Sequence, residues 1–278
     1  MKEPILITSR ANPTVKWLAS LSERKYRDRE RCFLVFGDKL TAEAFAAGAP
    51  VTRLILRDDR ARDPAVAPLI EAAGETVGIV RLDAACFDKI TEEKAPQGVA
   101  AVIKYLDFFK YYNIINSDLF SPLTMRGVLL LDAVRDPGNL GAVLRSAAAF
   151  GTTDVILSAD CADVYHPRTL RASMGALFRL RLWRTDDLPS AVGALCSLGR
   201  RVFSAELTDA AVPVSDACLT PADAIVIGNE GHGVSPDVSA ACCGSVCLPI
   251  TDAVESLNAS VAASLFVWEM MRPTRRDP

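Results

Sequence analysis

The chain of 278 residues contains no uncharged apolar run of about 18 residues, the length a helix needs to cross a bilayer, so no membrane span is expected. Its first residues, "MKEPILITSRANPTVK", lack the apolar core of a secretion signal, and a cytoplasmic protein is expected on that ground. Histidine is scarce, with two in the chain, and none of the eight cysteines shows paired C-x-x-C spacing. The one cluster, "CCGSVC", is therefore a poor zinc site, and no metal is expected. Most cysteines sit in apolar stretches, where a reduced thiol acts as a small hydrophobe. No internal repeat and no low-complexity tract is present, which leaves ordinary globular domains.

Half of the residues are hydrophobic and 23% are charged, and the length suits one large or two ordinary domains. The net charge of −3 hides an asymmetry: residues 1–31 carry eight Lys/Arg against four Asp/Glu, whereas residues 32–126 and 127–278 are each net acidic. A basic leading segment on an acidic body suits a local phosphate-contacting surface. On composition alone "SERKYRDRERC" reads better as a solvated helix end of mixed charge.

Residues 1–103 read as a small α/β domain. Asn12 caps and Pro13 opens a helix over "NPTVKWLASLSERKYRD". Short strands follow at "CFLVFG", "RLILR", "TVGIV" and "GVAAVI", with helices at "DKLTAEAFAAG" and "DPAVAPLIEAAG", each closed by a glycine. This alternation predicts a mainly parallel sheet. Residues 104–126 break the rhythm, with five of the sixteen Phe and Tyr residues between Tyr105 and Tyr112. They read as an interdomain connection whose aromatics pack between domains or stack on bases.

Residues 127–278 read as a second α/β domain. Strands are expected at "GVLLLD", "DVILS", "RLRLW", "RVFSA", "AIVIG" and "SVCLPI". Helices are expected at 139–150, about 167–175, 187–197 and 256–271. The last is nearly all apolar, so it should be buried on most sides, as a subunit interface would explain.

The run "DAVRDPGNLGAVLRSAAAFG" has the outline of a nucleotide-binding strand–turn–helix. Asp136 or Asn139 can cap the helix and Gly151 ends it. Its glycines stand G-x-x-G, which fails the G-x-G-x-x-G dinucleotide pattern, although Asp160 lies where a ribose-binding acid would. Arg145 sits among Gly141, Ala142, Ala148 and Ala149 at helical spacing, so a ligand could approach its guanidinium. It could also reach solvent or pair with Asp132 or Asp136. "AIVIGNEGHGVS" runs a strand into a glycine-rich loop with Glu230, an acid that a bland reading leaves solvated. "CLPITDAVESLNASVAASL" places Ser256 and Asn258 where a helix opens, either as simple caps or beside a ligand.

Together and in this order, "DAVRDPGNLGAVLRSAAAFG", "IGNEGHGVS" and "LPITDAVESLNASVAASLF" resemble the three motifs of the SpoU (TrmH-like) RNA ribose 2′-O-methyltransferases. "RASMGALFRL" between the first two also fits. "ITSRANPTVKWLASLSERKYRDRERCFLVFG" resembles the L30e-like substrate domain carried by subfamilies that act on large-subunit ribosomal RNA, although Phe36-Gly37 replaces the usual Glu-Gly. The resemblance implies a C-terminal SPOUT-type α/β domain with a deep trefoil knot, S-adenosylmethionine as cofactor, RNA as substrate, and a homodimer formed through that domain. It implies Arg145, Asn139, Glu230, Ser256 and Asn258 as catalytic residues, Arg145 acting on the RNA, Asn139 orienting it and Glu230 fixing the second loop or neutralising Arg145. Gly228, Asn229, Leu248, Ile250 and Leu257 would hold the cofactor. Arg10, Lys16, Arg24, Lys25, Arg27, Arg29 and Arg31 would contact RNA phosphates. A transfer-RNA substrate and a non-catalytic RNA-binding role are the competing readings, with a dinucleotide-dependent oxidoreductase behind them.

Overall fold

The computed structural model describes residues 5–106, 110–111 and 126–272, so most of the aromatic connection lies outside the described residues. The chain divides into two compact units, residues 1–106 with 165–178, and residues 107–164 with 179–278.

The first unit opens with β1 (Leu6–Ile7), α1 (Pro13–Ser20) and α2 (Arg24–Glu30). Then come β2 (Cys32–Phe36), α3 (Asp38–Ala46), β3 (Val51–Arg57), α4 (Ala67–Ala73), β4 (Gly78–Leu82), α5 (Ala84–Ile90) and β5 (Val99–Lys104). The single helix expected from Asn12 onward is two. Leu21 closes the first, and the buried Arg27, 2% exposed, reaches back to donate to the carbonyls of Leu21 and Ser22 at 2.9 and 2.5 Å. A guanidinium on the last carbonyls of a helix satisfies acceptors that the helix itself cannot, and so stabilises the break.

The sheet runs β1-β4-β3-β5-β2. It is mixed rather than mainly parallel. β4 pairs in parallel with β1 and β3, but β5 is antiparallel to both β3 and β2. The connection 91–98 carries the chain to the end where β2 finishes, and the Gly37 N–H donates to Val99 O at 2.8 Å. The apolar strand faces meet α1 and α5 on one side and α4 on the other.

The second unit contains β6 (Lys110–Tyr111), β7 (Val128–Leu131), α6 (Pro137–Phe150) and β8 (Asp154–Ser158). The segment with α7 (Pro167–Ser173) joins the first unit, where Tyr165 stacks on Phe33 and Tyr105 with ring centroids 4.4 and 4.2 Å apart. "RASMGALFRL" belongs mostly to this segment. The second unit resumes with β9 (Arg181–Thr185), α8 (Leu188–Ser197), β10 (Val202–Ala205), β11 (Val212–Pro213) and β12 (Ala224–Ile227). It ends with α9 (Pro236–Ala241), β13 (Gly244–Cys247) and α10 (Ala259–Met271). Its sheet runs β11-β13-β10-β12-β7-β8-β9-β6, and every described pairing is parallel. Buried on both faces, the central strands are continuous apolar runs such as Val128–Leu131.

β9 starts later than "RLRLW" suggests, because the Ala176–Phe178 turn precedes it and Arg181 begins the pairing with β8. α10 likewise starts after Asn258 rather than at Ser256. The Asn258 side chain caps it, accepting from the N–H groups of Ser260 and Val261. The outer face of α10 is less covered than its composition suggests: Val261, Leu265 and Trp268 are 48%, 44% and 39% exposed.

Candidate active site

Three loops at the carboxyl ends of parallel strands build the site, the place where open α/β sheets bind ligands. β12 runs into Gly228. A Cβ there would stand 2.1 Å from the Gly233 carbonyl carbon, so only glycine lets the loop fold back on itself. Asn229 and Gly233 exchange two backbone hydrogen bonds of 2.9 Å each. The Asn229 side chain is spent on the same turn, accepting from Gly231 N–H at 2.9 Å and donating to Ala133 O at 2.8 Å. Next to it, Asp132 accepts from Ser235 N–H at 2.7 Å, which ties the loop to the end of β7.

Asp136, not Asn139, caps α6, accepting from Asn139 N–H at 2.8 Å. That leaves the Asn139 amide free to bridge the other two motifs. Its Nδ2 donates to Glu230 Oε1 at 2.7 Å, and its Oδ1 accepts from Asn258 Nδ2 at 3.0 Å. Asn258 Oδ1 in turn caps α10. One chain of hydrogen bonds, Glu230–Asn139–Asn258, therefore joins residues that lie far apart in sequence.

A cavity of about 520 Å³ lies beside this chain. Gly228, Asn229, Leu248, Ile250 and Leu257, the five residues expected to hold a cofactor, all line it, with Glu230 and Ser256. Asn139, Asn258 and Arg145 lie outside the lining. Arg145 is exposed on α6, and among the described residues no hydrogen bond or ion pair engages its guanidinium. The partners that sequence offered it are engaged elsewhere: Asp136 in the cap, Asp132 with Ser235, and Asn139 and Glu230 with each other. Asp160 is spent structurally. The Ser158 hydroxyl, then Arg135, hold its carboxyl below the usual carboxylate range. Sequence reasoning missed one wall of the cavity, Ala205–Thr208 at and just past the end of β10, and also His232 and Phe266. Only the strand order brings that wall here, since β10 lies between β12 and β13.

Of the residues expected on RNA phosphates, Arg10, Lys16, Arg24, Lys25, Arg29 and Arg31 are exposed. Arg27 is a correction: it is buried and holds backbone carbonyls, so it is not presented to a phosphate. Arg24 pairs with Asp28 at 3.4 Å, Lys25 with Glu23 at 2.9 Å and Arg29 with Glu30 at 2.8 Å. Arg10 donates to Ala85 O, and Arg31 lies over the Tyr105 ring at 4.5 Å. Among the described residues no group of His, Cys, Asp and Glu could hold a metal ion, and no helix is long and apolar enough to cross a membrane.

Fold and site thus define an α/β protein with a small-molecule crevice over the ends of a parallel sheet and a separate mixed α/β unit. Residues 126–268 match the model of the SpoU rRNA Methylase family, and residues 12–101 match the MRM3-like substrate binding domain. The chain belongs to the SpoU rRNA Methylase family. It is 31% identical to the 23S rRNA (guanosine(2553)-2′-O)-methyltransferase RlmP of Bacillus subtilis, over 95% of this chain and 98% of that one. Among solved structures it is similar to an RNA 2′-O ribose methyltransferase at 28% identity and TM-score 0.80, covering 98% of this chain and 100% of that one. It is also similar to the SpoU methyltransferase AviRb of Streptomyces viridochromogenes, in complex with the cofactor AdoMet, at 26% identity and TM-score 0.80 over 96% and 100% of the two chains.

Proposed function

We propose that this protein transfers a methyl group from S-adenosylmethionine to a ribose 2′-hydroxyl of 23S ribosomal RNA. The observation that carries this reading is the Glu230–Asn139–Asn258 chain running beside a cavity that all five expected cofactor residues line. The cavity fits the group: its volume suits a nucleoside-sized ligand, and the Gly228 turn keeps the wall free of a side chain. The RlmP and AviRb likenesses, each spanning nearly the whole chain, support the substrate and the cofactor.

Bound there, S-adenosylmethionine supplies a methyl group activated by a sulfonium. The chain's own residues supply positioning and charge. Asn139 and Asn258 hold the start of α6 against the start of α10, and Glu230 anchors the second loop to them. Ser256 offers a hydroxyl at the cavity wall. Arg145 grips an RNA phosphate and stabilises the alkoxide as the 2′-hydroxyl loses its proton to that phosphate or to water. Electrostatic help is the easier role, because a guanidinium with a pKa above about 12 is a poor base. The exposed cations Arg10, Lys16, Arg24, Lys25, Arg29 and Arg31 gather RNA by its phosphates.

The same reading includes a cytoplasmic homodimer formed through the C-terminal domain, to which the Val261–Leu265–Trp268 stripe of α10 would contribute. It also includes a trefoil knot, a rare exception to the rule against threaded chains. In support, the chain leaves β12, passes β10 to reach β13, and then forms α10 against α6. Domain limits of 1–103 and 127–278 around the connection 104–126 go with it.

Purified protein incubated with labelled S-adenosylmethionine and 23S RNA should yield a 2′-O-methylated ribose at a mapped position. Transfer to a base, or none from a protein that binds both partners, would sink the proposal. Light scattering should give twice the chain mass, and Leu265→Asp should lower it.

A further inference from the structure

We propose that Glu206 is a specificity-determining residue whose carboxylate accepts the ribose hydroxyls of the adenosyl group. This rests on the cavity being the S-adenosylmethionine site. Glu206 follows β10, the strand flanked by β12, which leads to Gly228, and β13, which leads to Leu248. The acid therefore stands in the wall between the two loops expected to clasp the adenosyl group, and it lines the cavity.

Its side chain is half-buried and held from two elements. The Ser204 hydroxyl of β10 donates to Oε2 at 3.0 Å, and the Ser239 hydroxyl of α9 donates to the same oxygen at 2.9 Å. The backbone is held as well, with Glu206 N–H donating to Val246 O at 3.1 Å. Oε1 carries no hydrogen bond to another described residue. A carboxylate fixed through one oxygen, on a residue that lines a cavity, keeps acceptor capacity for a ligand. The other cavity acids differ. Glu230 is used by Asn139, and Glu255 lies in an exposed loop.

The adenosyl group has two kinds of donor, an exocyclic amine and a pair of neighbouring ribose hydroxyls. The amine's two N–H groups are neutral donors that neutral acceptors such as backbone carbonyls suit. An anionic oxygen with two lone-pair sites suits the hydroxyl pair, in bonds stronger than those between neutral groups.

Calorimetric titration of the full chain tests this with three ligands: S-adenosylhomocysteine, 5′-methylthioadenosine (the ribose without the amino-acid tail) and 2′,3′-dideoxy-5′-methylthioadenosine. Glu206→Ala should weaken the first two by roughly tenfold or more and leave the dideoxy compound as it is in the wild type. Equal binding of the hydroxylated ligands by wild type and variant overturns the role. So does equal weakening of all three, which would mark a structural part, and so does weakening of S-adenosylhomocysteine alone, which would place Glu206 on the amino-acid tail. If Glu206→Ala does not fold, Glu206→Gln carries the same comparison. A folded wild type that binds none of the three refutes the cofactor reading itself, an outcome separate from a wild type that binds and a variant that binds equally.

Discussion

Two helical stretches use arginine in opposite ways. Residues 24–31 are crowded with charge, and all five cations there are engaged: Arg24, Lys25 and Arg29 by neighbouring acids, Arg31 by a ring, and Arg27 by backbone carbonyls inside the unit. α6 is nearly uncharged, and its one cation, Arg145, meets no described partner. The dense stretch looks more like a binding surface in sequence, yet the sparse one holds the more available guanidinium. What recruits a substrate is charge not already satisfied, and small neighbours such as Gly141 and Ala142 keep Arg145 open to approach.

The comparison breaks most visibly if the two arginines are removed in turn. Arg145→Ala should cut methyl transfer on the order of 10²–10³-fold, the usual cost of losing one preorganised charge-stabilising donor. Stability should barely change, since the residue is exposed. Single-turnover assays beside thermal melts check both halves. An active Arg145→Ala enzyme would remove α6 from the chemistry.

Arg27→Ala should show the reverse. It uncovers the Leu21 and Ser22 carbonyls and leaves a gap in the core, so a loss of about 2–4 kcal/mol is expected by urea titration. Residual folded protein should transfer methyl groups normally once bound to RNA. A variant as stable as wild type would mean that the α1–α2 break holds without its guanidinium.

Asn139→Ala is the next smaller effect. It cuts the link among Glu230, Asn139 and Asn258 but leaves the cap of α6 with Asp136 and that of α10 with Asn258. Transfer should fall by roughly tenfold, mostly in kcat, because alignment suffers rather than substrate binding. A change confined to KM would place Asn139 on substrate binding instead.

How far these features could be read beforehand follows from their range. Apolar runs mark the longer strands between Cys32 and Cys247, though not the two-residue β6 and β11, and Gly151 marks the end of α6, because strands and caps are local; its start could be read at Asp136 or at Asn139. The α1–α2 break depends on Arg27 reaching back six residues, and nothing in "SERKYRD" distinguishes that from a surface arginine. The reversed β5 and the packing of Tyr165–Phe178 with the first unit are tertiary. α5 and α9, helices of seven and six residues, are too short to give a periodic signal. The three motif stretches can be picked out by resemblance, and the five residues expected to hold a cofactor all line one cavity. Glu206 cannot, since its place beside Gly228 and Leu248 follows from the strand order β13-β10-β12, which no local pattern encodes.

The smallest effect tests whether the engaged cations still serve RNA. The pairs Arg24–Asp28 and Lys25–Glu23 are solvent-exposed, as is Arg29 beside the half-buried Glu30, and water and salt weaken such pairs. A phosphate can displace the acid at little cost, so engagement in the free protein does not disqualify these residues. Replacing Arg24, Lys25 and Arg29 together by alanine should therefore weaken RNA binding and flatten the plot of log affinity against log salt by about one for each phosphate no longer neutralised. Affinity for S-adenosylhomocysteine should stay as it was. An unchanged slope would mean that the acids keep their partners and that RNA is gathered elsewhere. The crowded stretch would then be the solvated surface of mixed charge that its composition favours.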